Sequence, residues 1–67
     1  MAKIQINGRK TTIKENTTIF DVLKRFKLNE KKVAVELNGV IIVKNKYKSK
    51  KIKKSDQIEI VQFIGGG

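Results

Sequence analysis

The sequence predicts an α+β fold, a mixed sheet wrapped over a single helix, and three features predict it. Asn7-Gly8 and Asn38-Gly39 each lie between β-prone runs, the strongest short-range hairpin signal a sequence offers. One segment between those hairpins repeats its apolar residues at helical spacing. A hydrophobic run, Ile58-Glu59-Ile60-Val61-Gln62-Phe63-Ile64, then supplies a last strand.

Ile4 and Ile6 alternate with Lys3 and Gln5, and Thr11-Thr12-Ile13 resumes a β-prone run after the first Asn-Gly turn. Thr18 with Asp21 three residues later has the form of a capping box. Ile19, Val22, Leu23 and Phe26 follow at i, i+3, i+4 and i+7, so a short amphipathic helix is expected from about Ile19 to Lys27, with Phe20 flanking its apolar stripe. Val33, Val35 and Leu37 alternate with Ala34 and Glu36, and Asn38-Gly39 turns the chain into a fourth strand, Val40-Ile41-Ile42-Val43. From Lys44 to Lys54 seven lysines accompany Asn45, Tyr47, Ser49 and Ile52, an irregular or loosely helical crossover that Tyr47 and Ile52 are expected to pin to the body. Ser55-Asp56-Gln57 has turn chemistry, and the last strand occupies roughly Gln57 to Ile64.

At 67 residues the chain is expected to be one domain over residues 1–64 with a small core, since a chain of this size buries only about 60% of its unfolded surface. It contains no cysteine and no histidine. Disulfides, thiol nucleophiles, thiolate metal sites and the commonest acid-base group are thereby excluded, and no catalytic or metal-binding residue is assigned. The longest apolar stretch, Val40 to Val43, is far shorter than the roughly 18 residues a membrane span needs, and no signal peptide is expected at Met1-Ala2-Lys3. The expected location is the cytoplasm or the soluble phase of an organelle. Sixteen Lys plus Arg against six Asp plus Glu give a net charge of +10, which favours encounter with acidic partners or phosphates. Fourteen of the sixteen are lysines, a bias that a host's coding preference produces as readily as a binding surface does.

The last strand runs without a polar linker into Gly65, Gly66 and Gly67, expected to form a flexible tail ending in the candidate reactive group, the C-terminal carboxylate. Glycines lack a Cβ and thread narrow slots, and three of them extend about 10 Å at roughly 3.3–3.6 Å each. The plain alternative is a frayed end. Alternation along the strand sets Ile58 and Ile60 on one face and Glu59, Val61 and Phe63 on the other. If the helix covers the first pair, Val61 and Phe63 form an exposed apolar docking patch beside the tail, unless the crossover covers them.

Asn7-Gly8, the segment Thr18 to Leu23, Val35-Glu36-Leu37-Asn38-Gly39 and the ending from Asp56 to Gly67 together resemble the sulfur carriers of thiamine biosynthesis, over nearly the whole chain. The resemblance implies a ubiquitin-like β-grasp with the last strand placed centrally beside the first. It also implies that Gly67 is adenylated by an ATP-dependent activating enzyme, converted to a thiocarboxylate with sulfur from a donor such as a cysteine desulfurase system, and used by thiazole synthase. Gly66 matches the family's terminal diglycine, and Gly65 is an additional tail residue. The carrier would then be a protein co-substrate rather than an enzyme, with ATP consumed by its partner and no permanently bound cofactor. Val43-Lys44 stands where the family often has proline and arginine, and Ser55 where glycine is common. Both lie in connections, where local backbone differences are expected and none in the tail chemistry.

Three related readings share the diglycine: carriers for molybdopterin or for cysteine biosynthesis, and ubiquitin-like modifiers that conjugate to lysines. From a different class, the Lys44–Lys54 segment could bind nucleic acid through counterion release. Only Tyr47 interrupts it with an aromatic residue and it contains no arginine, so nucleic acid is not an expected partner. A membrane-surface role is set aside for want of a continuous apolar stripe.

Overall fold

The computed structural model describes residues 1–63. It contains β1 (Ala2–Ile6), β2 (Arg9–Ile13), α1 (Ile19–Arg25), β3 (Val33–Leu37), β4 (Val40–Ile42) and β5 (Gln57–Gln62). The strands form one sheet in the order β2-β1-β5-β3-β4, so the last strand in sequence is the central one in space. β1 and β5 run parallel, while β1–β2, β3–β4 and β3–β5 are antiparallel. This is the β-grasp arrangement that the resemblance implied.

Both hairpin turns have positive φ at each central residue, 50° and 80° at Asn7-Gly8 and 53° and 83° at Asn38-Gly39. That is the twist-matched geometry two-residue hairpins require, and Asn and Gly are the residues that reach it most cheaply. Ile4, Ile6, Val33, Val35, Leu37 and Ile58 point from the sheet onto α1, whose Ile19, Val22 and Leu23 complete the central packing. Alternation on the strands and the 3.6-residue period on the helix thus converge on one core.

The capping box forms as expected: the Asp21 backbone N–H donates to Thr18 Oγ1 at 3.1 Å, and the Thr18 N–H donates to the Asp21 carboxylate at 3.0 Å. The helix stops two residues earlier than the sequence suggested. Lys27 adopts φ 58°, its N–H reaches the Lys24 carbonyl at 3.0 Å, and the Leu28 N–H reaches the Leu23 carbonyl at 2.8 Å. This is a Schellman closure with lysine where glycine is usual. Phe26, expected on the apolar stripe, is 45% exposed, because the chain turns away from the helix path directly after it. Phe20 flanks the core as expected, with its ring between Lys24 Nζ at 5.4 Å and Lys48 Nζ at 4.9 Å.

Tyr47 and Ile52 do pin the crossover, at 1% and 3% exposure. Backbone bonds add to the attachment: the Ile19 and Phe20 N–H groups at the start of α1 donate to the Lys50 and Tyr47 carbonyls at 3.1 and 3.0 Å. The crossover therefore satisfies helix donors that would otherwise lack partners. β4 ends at Ile42, one residue short of expectation, and Lys44–Lys46 form a 3-10 turn behind Val43. Ser55 lies at φ 70°, in the left-handed region, so it takes up a conformation that favours glycine. β5 ends at Gln62, and the expected continuation to Ile64 lies outside the described residues. Among the described residues no helix is long and apolar enough to cross a membrane.

Candidate functional site

The end of β5 is built by its two neighbours in different ways. Along β3 the pairing runs continuously, with Val35 opposite Ile60, Ala34 opposite Val61 and Val33 opposite Gln62. It continues one residue further, where the Phe63 N–H donates to the Lys32 carbonyl at 2.9 Å. Along β1 the ladder stops early, pairing only Gln5 and Ile6 with Gln57 and Ile58. The Asn7 side chain takes over there: its Oδ1 accepts from the Ile60 N–H at 2.7 Å and its Nδ2 donates to the Ile60 carbonyl at 3.2 Å. One amide side chain thus stands in for the next residue of a strand that has already turned.

Asn38 does a related job at the other end of β5. Its Oδ1 accepts from the Gln57 N–H at 2.9 Å, and its Nδ2 donates to the Asp56 carboxylate at 3.0 Å. The two hairpin asparagines therefore both turn their own strands and hold the central one. Sequence analysis found the turns and missed the clamps, which join residues up to 53 positions apart.

The faces of β5 alternate as expected. Ile58 is buried and Ile60 is half-buried against the core, while Val61 is 61% and Phe63 is 52% exposed. The structure brings Val61 and Phe63 together on the outer side of the sheet, with no burial beneath the crossover. Gly65, Gly66 and Gly67 lie outside the described residues. One crossover residue does reach this end: the Lys44 Nζ is 5.5 Å from the Phe63 ring centroid and donates to the Glu30 and Val33 carbonyls at 3.1 and 2.9 Å. Lys44, expected to make only a local backbone difference, is thus in contact with Phe63.

On the opposite edge, beyond the Asn7 clamp, the Gln62 backbone faces away from β3, because N–H direction alternates along a strand and Phe63 donates to Lys32. This edge overlooks a groove of about 530 Å³ whose apolar lining includes Ile6, Phe26, Leu28 and Ile60. The exposed Phe26 belongs to this groove. Among the described residues no group of three or more acidic, histidine or cysteine side chains could hold a metal ion. The arrangement offers an exposed apolar surface at the end of the central strand.

Comparison with known proteins agrees with that geometry. Residues 4–67 match the model of the ThiS family. The sulfur carrier protein ThiS of Bacillus subtilis is 43% identical over 65 residues, covering 96% of this chain and 98% of that protein. A thiazole synthase of Magnetococcus marinus is 37% identical over 65 residues, covering 97% of this chain and 20% of that protein, so this chain spans about a fifth of its length. The crystal structure of the thiamine biosynthesis protein ThiS from Geobacter metallireducens superposes with a TM-score of 0.81 at 28% identity, covering 97% of this chain and 99% of that one. A family match over nearly every residue, together with an end-to-end relative and the same fold, leads to one assignment: the chain belongs to the ThiS family, the sulfur carriers of thiamine biosynthesis.

Proposed function

We propose that this carrier works through the carboxylate of Gly67, with residues 1–64 as the folded unit and Gly65, Gly66 and Gly67 as the tail that enters a partner's active site. A carboxylate, ionised near neutral pH, is a poor electrophile. An ATP-dependent activating enzyme overcomes this: a carboxylate oxygen attacks the α-phosphorus of ATP and pyrophosphate leaves, and the persulfide of a donor such as a cysteine desulfurase system then attacks the acyl carbon and AMP leaves. A second thiol breaks the S–S bond of the resulting acyl disulfide by exchange, which leaves the thiocarboxylate on Gly67 and a disulfide between that thiol and the donor. The resulting thiocarboxylate delivers its sulfur to thiazole synthase. The carrier contributes no catalytic side chain, and Val61 and Phe63 dock it.

The observation that supports this reading most is the exposure of Val61, on β5, and Phe63, one residue beyond it, with Ile64 alone in the sequence between Phe63 and three glycines. The partnership with thiazole synthase draws support from the Magnetococcus marinus protein, in which a thiazole synthase includes a stretch similar to this carrier. Covalent linkage raises the effective concentration of two parts that must meet. The cytoplasm, or the soluble phase of an organelle, is the proposed site of action.

Intact-mass measurement after incubation with an activating enzyme, ATP and a sulfur donor tests the proposal. The expected product has one oxygen replaced by sulfur at Gly67, located by peptide mapping after chemical trapping, and its sulfur passes to thiazole synthase. Absence of any change with a demonstrably active cognate enzyme overturns the tail chemistry. Loading followed by covalent adducts on lysines, or sulfur passing only to molybdopterin or cysteine synthesis, overturns the thiazole assignment.

A further inference from the structure

We infer that Lys44 is a positioning residue for sulfur loading: it fixes the Phe63 ring, two residues before the first glycine of the tail. The inference rests on the carrier reading above. Phe63 lies one residue beyond β5 and is 52% exposed, so packing alone gives its ring few constraints. Among the described residues its backbone is held on the β3 side, by the 2.9 Å bond to the Lys32 carbonyl.

The corner where the Glu30–Lys32 3-10 turn enters β3 supplies the remaining restraint. Its Glu30 and Val33 carbonyls accept from the Lys44 ammonium at 3.1 and 2.9 Å, while Lys32 between them accepts from Phe63. An ammonium has three N–H groups. With two committed to carbonyls, the third is free for the ring, whose centroid lies 5.5 Å from Nζ. Lysine side chains lose considerable rotamer freedom when fixed, and two charge-assisted bonds offset that loss. Three carbonyls of one corner therefore hold both the backbone and, through Lys44, the ring of Phe63, two residues before the first glycine of the tail.

A fixed root narrows the directions open to the residues that follow, which raises the fraction of docked encounters that place the carboxylate in line with ATP. Small misalignments of a reacting group carry large rate penalties, so the effect belongs in kcat, whereas a lost docking contact belongs in KM. The test uses the full-length carrier with an ATP-dependent activating enzyme that loads the wild-type chain. Lys44→Met keeps the aliphatic stem and removes the charge. It is expected to lower kcat for loading about tenfold with KM within about threefold, and to move the Phe63 ring resonances in an otherwise unchanged NMR spectrum.

Lys44→Arg retains a cation able to donate to carbonyls and to stack on an aromatic ring, and is expected to restore kcat to within about twofold. Because the lysine acts through the ring, Phe63→Leu and the double variant with Lys44→Met are expected to lose no more than either single change multiplied together would predict, and close to the larger one alone. A wild-type chain that loads while Lys44→Met loads at the same kcat overturns the inference and leaves the carrier reading intact. Fully multiplicative losses in the double variant overturn it too. A wild-type chain that never loads overturns the carrier reading and this inference with it.

Discussion

Asn7 illustrates how one residue joins turn and site. Its φ of 50° helps to close the first hairpin, and its amide holds both backbone groups of Ile60. Asn7→Gly keeps the turn and removes the clamp, so the two contributions separate. The expected result is a loss of about 1–2 kcal/mol in urea unfolding, from two hydrogen bonds at an exposed site, with faster amide exchange at Ile60. The turn was legible because its signal is two adjacent residues. The clamp was not, since it pairs residues 53 apart that meet only after the sheet has formed. Lys27 shows the complementary limit: a helix stop usually announced by glycine is made here by a lysine at φ 58°. Lys27→Gly is expected to raise the stability measured by urea unfolding by about 0.5 kcal/mol, because relief of the left-handed strain exceeds the added entropy of the unfolded chain.

Among the elements, the helix start was legible and the helix end was not. Thr18 and Asp21 are three residues apart in sequence, so the capping box could be read directly. The Asp21 carboxylate accepts from the Thr18 backbone N–H and interacts with the Thr18 hydroxyl and the Lys24 charge, which together hold its pKa below the ordinary 3.8. A depressed acid stabilises the fold only while ionised. Its contribution is therefore complete above pH 3.8 and disappears as the pH falls through the lower folded value. Asp21→Asn lacks this titration, so the stability advantage of the wild type over Asp21→Asn is expected to shrink steadily in urea melts taken below pH 3.8. A difference that stays constant to strong acid would show that the charge plays no part. In the crossover, Tyr47 and Ile52 were legible as apolar residues in a basic run. The bonds from Lys50 and Tyr47 to α1 were not, because any residue can supply a carbonyl.

At the scale of the whole molecule, periodicity gave the α+β class, but the central position of β5 followed from resemblance to a family, since nothing in hydrophobic spacing orders five strands. The exposure of Val61 and Phe63 was legible for a simpler reason: alternation forces them onto the side opposite Ile58. The core and the proposed delivery tail also occupy different parts of the chain. Every buried core residue among those described lies at or before Ile58. Removing Gly66 and Gly67 should therefore leave stability within about 0.5 kcal/mol, as for other changes away from the core. The truncated chain still ends in a glycine carboxylate, now that of Gly65, so its intrinsic chemistry is preserved and only its reach falls, by roughly 7 Å at 3.3–3.6 Å per residue. Sulfur loading is expected to vanish while the urea midpoint and the β-sheet circular dichroism remain those of the full chain. Loading of the truncated chain at the full rate would mean that docking through Val61 and Phe63 tolerates a carboxylate two residues short, and that the length of the tail has no part in delivery.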